Sequence, residues 1–206
     1  MSARSEHPEI DVVLFDLGGV LIRLGGMGDM AMLSNERDDD EIWRRWLECP
    51  WVRRYERGEC DEDAFARGMV ETWSMPASPD EFLDAFISWP KGLLPGAREL
   101  VADLRNRTRL ACLSNTNRVH CERYEEQFGL MTLFDERYLS YEMGLVKPDV
   151  DAFEHTLAGL GCDAKRVLFL DDNQINVDGA RRAGLRAEQA VGPDEARAVL
   201  ARYAIL

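Results

Sequence analysis

Two adjacent carboxylates, Asp171 and Asp172, follow a strongly apolar segment that begins at Val167. Two like charges side by side repel each other unless a cation or a basic group offsets them. Carboxylate oxygens are hard ligands of the kind that Mg²⁺ prefers, together with water and a substrate phosphate. The pair therefore predicts a magnesium site, which Asp16, at the end of an earlier apolar segment, would complete. A structural interpretation, in which one Asp caps a helix beginning near Asn173, stays open.

Asp16 itself is followed by Leu17 and then by two glycines, Gly18 and Gly19. This pattern predicts a turn that leaves the carboxylate at the end of a strand, where a ligand can approach the backbone amides closely. Taken alone, an Asp beside glycines is more typical of a turn or a helix cap. The chemical interpretation of Asp16 therefore depends on the other segments.

Two further segments offer groups that suit an anion. Ser114 and Asn115 open a polar tetrad before a predicted helix, and their hydroxyl, amide and N–H groups could hold phosphate oxygens, although a plain helix cap is the alternative. Lys147 precedes Pro148, which disfavours helix at the lysine. A lone lysine is usually solvated. At a crevice, however, its compact ammonium would neutralise a nucleophilic carboxylate and a phosphate together.

The elements that must position these residues are short apolar runs at 12–16, 110–115 and 167–172, which predict buried parallel strands. Helix-like segments at 95–107, 118–128 and 175–183 alternate with them. The alternation predicts an α/β fold with a doubly wound, Rossmann-like parallel sheet. Ligands of such sheets lie at the carboxyl ends of the strands, so three distant segments are expected to meet in one polar crevice.

The segment 23–93 has a different composition, in which all five tryptophans lie among charged residues. Asp61 is expected to N-cap one helix and Pro79 to open another, so we predict an all-helical insertion whose aromatic residues mostly form its own small core. The domain boundaries that follow are 1–22 and 94–206 for the α/β core and 23–93 for a helical cap domain.

Composition excludes several classes of function. The chain has 206 residues and a formal net charge of −13, which argues against sequence-independent nucleic-acid binding. No apolar run is long enough for a membrane span, and the first ten residues lack a secretory core, so a cytoplasmic location without a membrane partner is expected. The five cysteines are scattered without a Cys-x-x-Cys pair and are expected to be reduced. The oligomeric state stays open.

Four segments in this order resemble the haloacid-dehalogenase-like (HAD) hydrolase superfamily. They are Phe15 to Val20 (FDLGGV), Leu113 to Thr116 (LSNT), Lys147-Pro148 and Leu170 to Asn173 (LDDN). The resemblance spans nearly the whole chain, with the insertion where that superfamily places its cap. The same segments, together with Tyr138-Leu139-Ser140, look like the subgroup that contains bacterial alpha-D-glucose-1-phosphate phosphatases.

This resemblance implies a role for each matching residue. Asp16 would attack phosphorus to form an aspartyl-phosphate that water then hydrolyses. Ser114 and Asn115 would hold the phosphoryl group, and Lys147 would balance its charge. Mg²⁺ would be bound by Asp16, by the main-chain carbonyl of Gly18 and by Asp172, while Asp171 either joins it or orients the ligands. The expected substrate is a small phosphate monoester, with sugar 1-phosphates among the candidates.

Two positions depart from the superfamily pattern. Many of its phosphatases carry a second Asp where this chain has Gly18, and that acid protonates the leaving oxygen. Either another group substitutes, or the substrates have leaving groups that need less protonation, such as anomeric or aryl phosphates; we favour the second explanation. Asn176 stands where some relatives have a further acid. The neutral amide lowers the local negative charge without removing the metal site.

Cap residues select substrates in this superfamily, so Trp51, Arg54, Tyr55 and Glu56 are candidates for specificity. His120 is expected at the surface or at a helix cap and is given no catalytic role.

Two other functions remain as alternatives. One is a 2-haloacid dehalogenase, which needs no metal and gains nothing from adjacent carboxylates, and the other is a catalytically idle binding protein that uses the tryptophan-rich insertion as a partner surface.

Overall fold

A five-stranded parallel sheet lies at the centre of the fold, in a computed structural model that describes residues 9–34 and 38–206. The strands are β1 (Val12–Phe15), β2 (Ile22–Leu24), β3 (Pro90–Leu93), β4 (Arg109–Ser114), β5 (Glu136–Leu139), β6 (Val167–Asp171) and β7 (Arg186–Gln189). The helices are α1 (Gly26–Leu33), α2 (Asp39–Glu48), α3 (Pro50–Glu56), α4 (Glu62–Trp73), α5 (Pro79–Ile87), α6 (Ala97–Leu104), α7 (Arg118–Phe128), α8 (Ser140–Met143), α9 (Val150–Leu160), α10 (Gln174–Arg182) and α11 (Gly192–Arg202).

The sheet has the strand order β5-β4-β1-β6-β7, and all of its strands are parallel. β1 is central and its residues are completely buried, because helices cover both faces. Successive residues of β1 point to opposite faces of the sheet. Val13 and Phe15 pack in the core cluster on one face, and Val12 and Leu14 pack in the cluster on the other face. The predicted doubly wound α/β fold is confirmed.

The predicted elements of the core recur with small shifts at their ends. The helix expected at 118–128 is α7, and the ones expected at 95–107 and 175–183 are α6 and α10. The helix at 95–107 is shorter than predicted because Gly96, with φ of 82°, precedes its first residue, and the chain turns after Leu104. Such shifts are ordinary, since helix ends fray.

The insertion is not all-helical, so that prediction is wrong at its two ends. β2 and β3 form an antiparallel pair, with Ile22 opposite Leu93 and Arg23 opposite Gly92. The chain leaves the core and returns to it side by side, so pairing these two short segments satisfies their backbone hydrogen-bonding groups. Helices α1 to α5 lie between the paired strands.

The five helices of the insertion pack around a cluster of their own, as predicted. Phe65, Met69 and Trp73 of α4 are buried there, with Phe82 and Phe86 of α5. The Asp61 side chain accepts a hydrogen bond from the backbone N–H of Ala64, which confirms the N-cap, and α5 begins at Pro79 behind a capping box of Ser78 and Glu81.

Within the described part of the chain, no helix is both long and apolar enough to cross a bilayer. All five cysteines are free, and three of them, Cys49, Cys112 and Cys121, are buried.

Candidate active site

The polar segments singled out in the sequence meet at the carboxyl edge of the sheet. Asp16 follows β1, Ser114 ends β4 and Asp171 ends β6, so the parallel strands deliver all three to the same edge. Lys147 arrives from the loop between α8 and α9. The sequence therefore predicted correctly which segments converge.

Lys147 lies at the centre of this site. Its Nζ donates hydrogen bonds to Asp16 Oδ1 at 2.8 Å and to Asp171 Oδ2 at 2.6 Å. The lysine side chain is 1% exposed, so these ion pairs are shielded from water. Burial lowers the pKa of Lys147, but Asp16 and Asp171 outweigh it and raise that pKa above its usual value. The lysine is therefore a permanent buried cation.

The two acids that face the crevice hold their protons more tightly than usual. Burial raises the pKa of Asp16, Lys147 lowers it, and Asp171 and Asp172 raise it, which together bring that pKa to about 7. Burial and the neighbouring Asp171 raise the pKa of Asp172 to about 6. One ammonium does not offset three carboxylates, so the site is short of positive charge.

Asp171 differs from its neighbour because both of its oxygens are already occupied. Oδ1 accepts from the backbone N–H of Asn173 at 2.8 Å, Oδ2 accepts from Lys147, and the Asn176 amide donates to both oxygens at 3.1 Å. Asp171 is completely buried, whereas Asp172 lines the crevice. Of the two roles left open for Asp171, this geometry favours orienting Lys147 and the following loop. An acid at position 176 would repel Asp171, where Asn176 instead donates to it.

The turn after Asp16 allows a close approach between two of the motifs. Gly19 has φ of 69°, and a Cβ there would lie 2.0 Å from Asp172 Oδ2. Only glycine lets the turn adopt this conformation and pass so close to the carboxylate. A Cβ at Gly18 would lie 2.8 Å from Leu24 Cδ1, so an apolar side chain covers that position.

Ser114 and Asn115 both line the crevice but are engaged differently. The Asn115 amide is fixed by the backbone of Lys147, since its Nδ2 donates to the Lys147 carbonyl at 3.0 Å and its Oδ1 accepts from the Lys147 N–H at 2.8 Å. The Ser114 hydroxyl makes no hydrogen bond with any described residue. The side chain of Asn115 thus positions the lysine, while Ser114 has a free hydroxyl for a ligand.

A cavity of about 890 Å³ extends from this polar edge towards the insertion. Of the four specificity candidates, Tyr55 and Glu56 line it, whereas Trp51 and Arg54 do not. Trp51 instead packs against α4, where a Cβ at Gly68 would lie 2.1 Å from its ring. Burial raises the pKa of Glu56 to about 7, against the lowering effect of Lys147 and Arg53, and its carboxylate accepts no hydrogen bond from the described residues.

His120 is buried, so the surface histidine that was one of two expectations is wrong, whereas its position at a helix cap is right, because its backbone N–H donates to Oδ1 of Asn117, the N-cap residue of α7, at 3.0 Å. Because a carbonyl only accepts, Nε2 must donate to the Phe86 carbonyl at 2.8 Å, which leaves Nδ1 to accept from Asn117 at 3.2 Å. The ring stacks on Phe86 with centroids 4.4 Å apart. Burial lowers the pKa of His120 to about 4, so it is neutral and joins α7 of the core to α5 of the insertion.

The sequence analysis missed most of the cavity wall. Trp43, Trp46 and Trp89 line it from the insertion, and Ile175 and Val191 line it from the core. Trp46 and Trp89 belong to the core cluster of the insertion, as predicted, and also face the cavity, whereas Trp43 is exposed and lies outside that cluster. Ile175 and Val191 follow the ends of β6 and β7, which is the one signal that could have placed them near the crevice.

Fold and site together define an α/β enzyme with its polar crevice at the carboxyl edge of a doubly wound sheet. Residues 10–184 match the family described as haloacid dehalogenase-like hydrolase. The chain belongs to that family, which confirms the resemblance seen in its four motifs.

Relatives of known activity share most of the chain. This chain is 25% identical to the sesquiterpene phosphatase astK of Aspergillus oryzae over 178 residues. The aligned residues cover 84% of this chain and 85% of that protein. This chain is 28% identical over 142 residues to the pyrimidine 5'-nucleotidase YjjG of Escherichia coli, covering 66% of this chain and 63% of that one.

Solved structures show the same architecture. The HAD family enzyme bt-2542 from Bacteroides thetaiotaomicron superposes with a TM-score of 0.76 at 25% identity, over 93% of this chain and 99% of that one. Its complex with magnesium and inorganic phosphate superposes with a TM-score of 0.71 at 26% identity, over 87% of this chain and 93% of that one.

Proposed function

We propose that this protein is a magnesium-dependent phosphatase that hydrolyses small phosphate monoesters through an aspartyl-phosphate on Asp16. The observation that carries the proposal is the buried Lys147 ammonium, 2.8 Å from Asp16 Oδ1, in a crevice that also contains Asp172 and Ser114. The phosphatase and nucleotidase relatives, and the magnesium and phosphate bound by the Bacteroides enzyme, support the same chemistry.

The donor set fits a magnesium ion. Oxygens of Asp16, Asp171 and Asp172 lie within 4.8 Å of one another, and hard oxygens beside a phosphate are the ligands Mg²⁺ prefers. We assign the ligands to Asp16, Asp172 and the carbonyl of Gly18, with Asp171 holding Lys147 and the loop in place. When bound, the ion supplies positive charge that offsets the carboxylates and the phosphate.

In the first step, one Asp16 oxygen attacks phosphorus, the bond from phosphorus to the leaving oxygen breaks, and that oxygen leaves as an alkoxide or phenoxide that takes a proton from solvent. Water then attacks the aspartyl-phosphate, which releases phosphate and restores Asp16. Lys147 and the Ser114 hydroxyl would bind the phosphoryl oxygens, as would the main chain at Asn115, whose side chain is engaged elsewhere. Positioning and charge neutralisation supply most of the catalysis.

The segment 23–93 would act as a cap over the core formed by 1–22 and 94–206. Its α3 is joined to the core beside Lys147, because Arg53 and Arg57 both donate to Asp149 Oδ2, at 2.7 and 3.0 Å. A cap held there would limit the access of bulk water to the crevice while Asp16 attacks phosphorus.

The missing acid at Gly18 would restrict the substrates to esters whose leaving oxygen needs little protonation. Sugar 1-phosphates and aryl phosphates meet this requirement, because their hydroxyls are more acidic than ordinary alcohols. A proton donor elsewhere in the cavity is the alternative, and Glu56 is the carboxyl placed to act as one. If Glu56 has that role, Glu56→Gln lowers turnover of alkyl phosphates far more than that of aryl phosphates.

The experiment that tests the function measures phosphate release from 4-methylphenyl phosphate, with Mg²⁺ or with EDTA, in the parent and in Asp16→Asn. Turnover should require Mg²⁺ and disappear in the variant. Asp151→Asn is a matched control, because Asp151 is exposed on α9, and it should retain activity. Metal-independent halide release from 2-chloropropionate with no ester turnover would instead establish a dehalogenase, and no turnover of either substrate would leave a binding protein.

A further inference from the structure

The cavity has two chemically different ends. Charged and polar groups form its floor at the sheet edge, among them Asp16, Ser114 and Lys147. Aromatic rings form the wall on the side of the insertion, with Trp46, Tyr55, Phe86 and Trp89 facing the cavity and the fully buried Phe65 behind Tyr55. These rings contact one another, with centroids 4.8 Å apart for Trp46 and Trp89 and 4.2 Å apart for Tyr55 and Phe65. A ligand held by its phosphate at the floor would extend its organic part along an apolar wall.

Apolar side chains that face solvent converge on the mouth of this cavity. Six large apolar side chains are exposed in the described part of the chain, and five of them line the cavity: Leu24, Trp43, Leu47, Ile175 and Val191. Single exposed apolar residues are ordinary, but several around one opening mark a binding site. These five residues, the apolar rim, come from both the insertion and the core, so the rim borders the opening on two sides.

Leu24 brings apolar surface close to the reaction centre itself. Its Cδ1 lies 2.8 Å from the position that a Cβ at Gly18 would take, two residues beyond Asp16. The place where an acid would protonate the leaving oxygen is therefore covered by a hydrocarbon side chain. Such a wall favours an apolar group next to the scissile bond.

The volume and the charged groups of the cavity point the same way. A cavity of about 890 Å³ is large enough for a drug-sized ligand. Its charged groups beyond the floor are few, chiefly Arg23, Arg53 and Glu56, and Arg53 already pairs with Asp149. The hydroxyls of a sugar would lose hydrogen bonds to water against the aromatic wall, whereas a hydrocarbon gains from burial there.

We propose that the organic part of the substrate is a large apolar group, an aryl ring that carries hydrocarbon substituents, bound between the aromatic wall and the apolar rim. This inference rests on the proposed phosphatase function and selects the apolar members among the esters that the function allows.

The test is a series of phosphate esters in which only the apolar size changes. The esters are 4-methylphenyl, 4-butylphenyl and 4-hexylphenyl phosphate, whose phenols have nearly equal acidity, together with glucose 1-phosphate. Full burial of a methylene favours binding about fourfold, and half burial about twofold, so five added methylenes should raise kcat/KM about 30-fold. The gain should appear mainly in KM, and glucose 1-phosphate should be the poorest substrate.

Two variants connect that gain to the rim. Trp43→Ser should lower the ratio of kcat/KM for the hexyl ester to that for the methyl ester, by about fivefold if the ring covers two or three of the added methylenes. Trp43 is 43% exposed, so its replacement spares the core. Met32→Ser is the matched control, since Met32 is the sixth exposed apolar residue, 80% exposed and outside the cavity, and its ratio should equal that of the parent.

Each contrary result has a distinct meaning. No magnesium-dependent turnover of any ester refutes the phosphatase function. Turnover that is flat across the alkyl series, or greatest with glucose 1-phosphate, leaves the phosphatase standing and overturns the apolar-substrate proposal. The proposal also fails if Trp43→Ser converts a dimer to a monomer by sedimentation and leaves the ratio unchanged, because the rim would then be covered by a second copy of the chain.

Discussion

Replacing Asp16 with Asn should abolish activity and yet make the metal-free protein more stable. In the absence of a metal, burial and two neighbouring carboxylates raise the pKa of Asp16 to about 7. A pKa about three above the usual value means that the ionised form costs the fold about 4 kcal/mol. Asn keeps the shape of the side chain and an oxygen that can accept from Lys147, but it carries no charge.

The pH dependence follows from the sign of the shift. Below pH 3.8 the carboxyl is protonated in both the folded and the unfolded protein, so its shift costs nothing. The unfolded carboxyl ionises first as the pH rises, and the cost grows until the pH passes the folded pKa. The free energy of unfolding of Asp16→Asn should therefore exceed that of the parent by about 4 kcal/mol at pH 7.5 but by only about 1.5 kcal/mol at pH 5.

The assay is urea unfolding of both proteins in EDTA at the two pH values, followed by the same measurement with Mg²⁺. A ligand that binds only the folded state stabilises it, so Mg²⁺ should narrow the difference by stabilising the parent more than the variant. A variant that is less stable than the parent in EDTA at pH 7.5 would refute the reasoning. So would a difference that is the same at both pH values.

Three further predictions concern Lys147, His120 and Gly18. Lys147→Met leaves two buried carboxylates without their cation and should lower the free energy of unfolding by about 3–5 kcal/mol in EDTA at pH 7.5; a loss below about 1 kcal/mol would contradict the ion-pair geometry. As the pH falls from 6.5 towards 4, the unfolded His120 ring is protonated while the folded ring stays neutral, so the free energy of unfolding of the parent should fall by about 3 kcal/mol. Urea unfolding of His120→Gln should not show this pH-dependent loss. Gly18→Asp should raise turnover of alkyl relative to aryl phosphates at least about tenfold, provided that Leu24 moves aside; an unchanged ratio would show that protonation does not limit the choice of substrate.

The sequence predicted the three central strands of the sheet, β1, β4 and β6, because buried parallel strands make a strong and local signal, but it did not predict the edge strands β5 and β7. Buried strands read as continuous apolar runs, and the residue types that follow each run show where ligands are bound. β2 and β3 were missed for the opposite reason. They have three and four residues, no alternation, and a pairing fixed only by the way the chain leaves and re-enters the core.

Side-chain partners were the part that spacing could not reveal. Nothing in the segment 114–117 shows that the Asn115 amide is held by the Lys147 backbone, since that contact joins residues 32 apart. The burial of His120 likewise depends on Phe86, which comes from another element. Such roles arise from packing between distant segments. Sequence patterns therefore identify the residues of a site better than they predict the role of each one.

Charge explains why the site has these residues together. With every group ionised, three carboxylates face one ammonium, and the formal charge of the site is about minus two. The raised pKa values of Asp16 and Asp172 are the consequence when no metal is bound. A divalent cation would neutralise that charge and restore Asp16 to the ionised form that a nucleophile requires. An acid in place of Asn176 would add a further negative charge beside Asp171, whereas the neutral amide adds none and donates to both oxygens of Asp171.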